Sequence, residues 1–231
     1  MKLVIHQLYR AFGSYRLGRD FAGCSHCVDP AATARLAKAD LRSLMLADLD
    51  HYAFKAMTTW GDVGHFKHFL PRLFEIAAEE FENFHSPEVL FNKLSYGRYD
   101  KWPKSERLAV NDYLTAFWDA VLTSEARSAY TVDTALCCLG NASMSVQPYL
   151  NQWASNTTPA AVKHLAEFVL VNASHIKKHQ TLMNAYWTDR PSQSHEVISW
   201  LRSSSIYECL RNRQDDLRPE LSSALAALVD L

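Results

Sequence analysis

The chain has 231 residues, of which 48% are hydrophobic and 21% charged, the mixture of a folded globular protein rather than a disordered one. Lys and Arg (24) almost cancel Asp and Glu (25), so no global field favours nucleic acid or an anionic membrane surface. Five cysteines, with Cys137 and Cys138 adjacent, make poor material for a disulfide framework.

In chain order, the first ten residues lack the apolar core of a signal peptide, because His6, Gln7 and Arg10 interrupt them. No stretch reaches the roughly 18 apolar residues of a membrane span. The expected setting is the cytoplasm. Prolines fall where helices begin: Asp29-Pro30, Ser86-Pro87 and Thr158-Pro159 each pair a capping side chain with a proline at the first helical position. Trp102-Pro103 and Arg218-Pro219 supply the proline without a strong cap. Hydrophobic spacing agrees: Leu49, Tyr52, Ala53, Ala56, Met57 and Trp60 line one helical face, as do Val110, Leu114, Phe117, Trp118 and Val121. No alternating β-branched run and no hairpin turn signal occur. The pattern predicts helices near 3–12, 30–38, 47–60, 63–84, 87–95, 103–124, 131–139, 145–154, 159–179, 194–202, 204–213 and 219–229. Pro71 predicts either a kink in the fourth or its division into two.

The fold class is therefore all-α. Short connections favour stacked antiparallel hairpins with HEAT- or armadillo-like character, to which Ala135–Asn141 contributes a repeat-like helix end; a globular multi-helix bundle is the alternative. Residues 1–231 are read as a single all-α domain, with a subdivision near 125 as the other arrangement.

The chemical signal is Gly23-Cys24-Ser25-His26-Cys27. A Cys-x-x-Cys offers two thiolates to one metal ion, zinc being the metal this donor type suits. His65 and His68, three apart on a helix, are candidates to complete the set, with His26 and His51 as further imidazoles. A redox dithiol is a second use of the pair, though no thioredoxin-like strand precedes it. The plainer reading is two small side chains that pin a loop, and it leads. Other catalytic patterns are incomplete. Glu82 and His85 have di-iron spacing without a second copy, and Ile176 stands where a zincin between His175 and His179 would carry glutamate. The aromatic and basic loop Tyr96–Pro103 makes Arg98, Tyr99 and Trp102 candidate binding residues, beside the reading that Trp102 staples the next helix. Nucleic-acid binding through Arg98, Lys101, Lys104 and Arg107 is opposed by the neutral charge.

Several phrases resemble those of an uncharacterised bacterial helical protein family: Gly23–Cys27, Tyr52–Asp62, His68–Leu73, Leu94-Ser95-Tyr96, and Trp102-Pro103 through Phe117-Trp118. The likeness spans residues 9–122. It implies a cytoplasmic bacterial helical protein and carries no activity to any residue. The expectation is a non-enzymatic helical scaffold for a protein partner, without nucleic acid, membrane or organic cofactor. A metal-binding or thiol-dependent enzyme centred on Cys24 and Cys27 is the alternative.

Overall fold

A computed structural model describes residues 1–125, 128–212, 219–229 and 231. Among them are twelve α-helices and no named strand, so the chain is all-α. The helices are α1 (Lys2–Ala11), α2 (Pro30–Lys38), α3 (Leu46–Lys55), α4 (Val63–Glu80), α5 (Pro87–Tyr96), α6 (Lys104–Thr123), α7 (Ala129–Ala142), α8 (Gln147–Ser155), α9 (Pro159–His179), α10 (Pro191–Leu201), α11 (Ser204–Arg211) and α12 (Pro219–Val229). Arg218, and residue 213 of the expected 204–213 helix, lie outside the described residues. No described helix is long and apolar enough to cross a membrane. Inside α6 the chain divides into two compact units, Met1–Phe117 and Trp118–Leu231.

Proline occupies the first turn of α2, α5, α8, α9 and α10, where its missing N–H leaves no bond unmade. Asp29 and Thr158 cap α2 and α9 by accepting from Ala31 N and Ala161 N. Pro71 is carried within α4, which runs unbroken from Val63 to Glu80. The expected helix 47–60 stops at Lys55 instead. The Lys55 carbonyl accepts the N–H groups of Thr58, Thr59 and Trp60 at 3.1–3.2 Å, and Met57 takes a left-handed φ of 61°. Ala56 and Trp60 are buried through this turn rather than through a helical face.

In the first unit α4 is the central element. Its Phe66, Phe69, Leu70, Leu73, Phe74 and Ala77 are fully buried. Phe74 meets Phe91 of α5 edge-on at 5.3 Å and Tyr113 of α6 at 4.8 Å, and Phe91 meets Phe117 at 5.2 Å. One ion pair is enclosed here: Lys67 Nζ lies 2.7 Å from Glu106, and both side chains are less than a tenth exposed. The Tyr15 hydroxyl accepts from Lys67 and donates to Glu106, and the Trp102 ring faces the ammonium at 4.3 Å.

In the second unit three tryptophans organise the core. Trp153 touches Trp118, Phe168 and Trp200 at 5.2–5.4 Å. The indole N–H groups of Trp118 and Trp153 donate to the carbonyls of Tyr149 and Ala161. Glu196 of α10 acts as a remote cap for α8: its Oε2 accepts from Ser145 Oγ (2.8 Å), Val146 N (2.7 Å) and Gln147 N (3.2 Å). A carboxylate at a helix N-terminus also meets the positive end of the dipole. Glu196→Ala should cost about 1–3 kcal/mol, measured as a shift in the denaturant midpoint at unchanged slope.

Candidate functional site

The sequence phrases singled out separately, Gly23–Cys27 and Thr58–Asp62, come together beside the N-terminus of α4. The backbone joins them. Cys24 N–H donates to Thr59 O at 2.7 Å, Gly61 N–H donates to Ala22 O at 2.9 Å, and Gly23 pairs with Trp60 in an isolated antiparallel bridge. Two glycines make this possible. A Cβ on Gly23 would lie 2.5 Å from the Val28 side chain, and Gly61 takes φ +68°. Beneath the bridge Phe21, Tyr52, Trp60 and Phe69 are buried together, with Phe21 stacked on Trp60 at 6.2 Å and Tyr52 against Phe69 at 4.5 Å.

This region also gathers unfavourable features. The Tyr52 hydroxyl and Trp60 indole N–H are buried without a hydrogen-bond partner among the described residues. Burial, reinforced by the charge of Asp62, holds the Tyr52 pKa well above its ordinary value. Met57 and Arg98 carry left-handed φ on non-glycine residues, with Met57 Sδ placed where a Cβ on Gly97 would approach it. Unfavourable backbone of this kind concentrates at functional sites.

Cys24 and Cys27 are both exposed, and they approach each other to 3.9 Å. A tight turn sets their relation, because Cys27 N–H and Val28 N–H both donate to the Cys24 carbonyl, at 3.0 and 2.9 Å. Val28 is buried and anchors the far end, after which Asp29 caps α2. The Cys24 thiol has a pKa below the ordinary value. The backbone N–H of His26 is the largest cause, followed by the Cys27 thiol; slight desolvation opposes them, and the Cys27 N–H adds a further lowering. His26 is the nearest imidazole, its Nδ1 4.0 Å from Cys24 Sγ, and it too is exposed.

Of the two histidines expected to complete a metal site, His65 is committed elsewhere. His65 is buried and forms a capping box with Asp62: Asp62 N–H donates to His65 Nδ1 (3.1 Å) and His65 N–H donates to Asp62 Oδ1 (3.0 Å). Its Nε2 faces Asp20 Oδ1 at 3.7 Å. If His65 is protonated, Nδ1 instead donates to Asp62 Oδ1, 2.9 Å away. In either state Nδ1 serves Asp62 and Nε2 faces Asp20, so His65 has no lone pair to spare for the cysteines. Asp20, Asp62 and His65 are the only group of three metal-type ligands gathered within 4.8 Å among the described residues. The capping box accounts for Asp62 and His65, and Asp20 joins them at His65 Nε2.

His68 is half-buried and bonded through Nδ1 to the Tyr15 carbonyl at 3.1 Å, which makes Nδ1 the protonated nitrogen. Burial lowers its pKa below the usual 6.5; the Tyr15 carbonyl works against this, while the charges of Arg16 and His65 add to it. The unfolded chain therefore takes up this proton before the folded one. The stability from neutral His68 is complete above the unfolded value of 6.5 and is lost as pH falls through the folded one. Between about pH 7.5 and about pH 5.5 the wild type should lose more thermal stability than a His68→Gln variant.

Of the expected binding loop, Trp102 turns inward. It is 7% exposed, donates its indole N–H to Gly97 O at 2.8 Å and meets Phe12 edge-on at 5.8 Å. Tyr99 lies against Trp102 at 6.3 Å, and of the three candidates Arg98 is the exposed one, paired with Asp100 at 3.2 Å. The rings of the helix-end pair His175 and His179 meet tilted at 4.7 Å, and His175 is bonded to Thr181. Asp20 had no periodic or motif signal, whereas Asp62-x-x-His65 carries capping-box spacing that marks the histidine as part of a helix start. The chain matches no protein-family model, no curated protein and no solved structure.

Proposed function

We propose that this is a metal-binding helical protein whose Cys24–Cys27 loop holds a thiophilic divalent cation, zinc, through two thiolates. One observation carries the reading: two exposed cysteines approach each other to 3.9 Å in a tight turn, with the Cys27 thiol in hydrogen-bonding reach of Cys24. In a tetrahedral site with Zn–S near 2.3 Å, the edge between two sulfurs is about 3.8 Å, so the pair needs little rearrangement to share one ion. The N–H groups aimed at Cys24 favour the thiolate that a metal requires. His26 has its Nδ1 4.0 Å from Cys24 Sγ, but it does not gather with both cysteines within 4.8 Å and is not a preformed third ligand. Both cysteines are exposed, so water is at hand to complete the coordination. The cytoplasm, the compartment expected for such a chain, keeps both thiols reduced and ready to bind.

Cobalt(II) titration tests this directly. Bound cobalt should produce a thiolate-to-metal charge-transfer band that zinc displaces, and Cys24→Ser/Cys27→Ser should show none. A featureless spectrum in the reduced wild type would sink the proposal.

A further inference from the structure

We infer that Cys24 and Cys27 also form a reversible dithiol–disulfide couple, closed by a low-molecular-weight disulfide. The geometry is suited to closure. A disulfide needs its sulfurs at about 2.05 Å, so the pair must close further from its 3.9 Å approach. Both side chains are exposed, which leaves them room to rotate. The backbone on either side is held independently of the sulfurs, by the Cys24 N–H bond to Thr59 and by buried Val28. Closure therefore leaves the bridge to Trp60 in place. Among the other cysteines, Cys137 and Cys138 are buried, and only Cys209 is partly accessible.

The exchange balances in two steps. The thiolate of one cysteine attacks a sulfur of the external disulfide, forming a mixed disulfide and expelling one external thiolate. The second cysteine, as thiolate, attacks the protein sulfur of that mixed disulfide. The Cys24–Cys27 bond forms, the mixed bond breaks, and a second external thiolate leaves. The protein has lost two electrons, and the external disulfide has gained them as two thiolates. Excess thiol runs both steps backwards. A consequence rests on the metal-site reading: a disulfide retains no thiolate, so oxidation of the loop releases its ion.

The test uses full-length, metal-free protein carrying Cys209→Ser, incubated with glutathione disulfide and examined by intact mass. The couple predicts the loss of two hydrogens with no retained glutathione, reversed by dithiothreitol. Adding Cys27→Ser or Cys24→Ser should stop the reaction at a single glutathione adduct. Two retained glutathiones on the intact pair, or no reaction at either cysteine, would overturn the inference. A parallel arm preloaded with zinc separates the two readings. Closure of the metal-free protein without any zinc binding leaves the couple standing and removes the metal site. Zinc binding by a pair that never closes does the reverse.

Discussion

Lys67→Met should destabilise the protein by about 3–5 kcal/mol, the largest single effect expected outside the hydrophobic core. Lys67 and Glu106 are 2.7 Å apart with side chains only 8% and 6% exposed. Removing the ammonium leaves a buried carboxylate whose remaining partner is the Tyr15 hydroxyl at 2.7 Å. Methionine retains much of the lysine stem's volume, so the loss reports charge rather than a cavity. The companion variant Lys67→Met/Glu106→Leu separates these causes. With neither charge to desolvate, it should recover at least about 2 kcal/mol of what the single change lost. A double variant as unstable as the single would mean that packing around Trp102 and Tyr15, rather than the uncompensated carboxylate, dominates. Denaturant unfolding of the three proteins decides the matter. The result bears on the candidate site because Lys67 follows His65 by two residues on α4, the helix whose capping box holds Asp62 in place.

Cys24→Ser/Cys27→Ser should abolish zinc binding while leaving the melting temperature of the metal-free protein nearly unchanged. Both side chains are exposed, so serine removes no buried area and opens no cavity. The loop conformation is set by backbone bonds to Thr59 and within the turn, none of which needs sulfur. Zinc, in contrast, should stabilise only the wild type. An ion that binds the folded state alone contributes about 2.7 kcal/mol at a hundredfold excess over its dissociation constant. Calorimetric or spectroscopic melts with and without zinc therefore expect an upward shift in the wild type and none in the variant. A variant that unfolds without metal would instead assign the cysteines a packing role.

Much of the helical framework was legible in the sequence, because its signals are local. A capping side chain followed by proline marks the starts of α2 and α9, and the 3.6-residue spacing of Val110, Leu114, Phe117 and Val121 identifies α6. The spacing misled at Trp60. A turn that closes on the Lys55 carbonyl buries Ala56 and Trp60 as fully as a helix would, and periodicity cannot tell the two apart. The pairing of Gly23 with Trp60 was invisible for a different reason: it is made by backbone groups 37 positions apart and leaves no side-chain signature (60 minus 23). Gly23 and Gly61 were its only trace, one permitting close approach to Val28 and the other a positive φ. The cysteine pair stood out at once, but its ligand set did not. Spacing alone placed His65 beside His68 as a metal pair, whereas a carboxylate three residues earlier had already claimed His65 for the helix start.

The most direct test of the metal site is the zinc content of untagged protein, expressed in zinc-replete cells, purified reduced and without chelator, then dialysed against metal-free buffer. Near-equimolar zinc in the wild type, absent from Cys24→Ser/Cys27→Ser, is the predicted result. Wild-type protein that holds no more zinc than the variant, with its thiols verified as reduced, would contradict it.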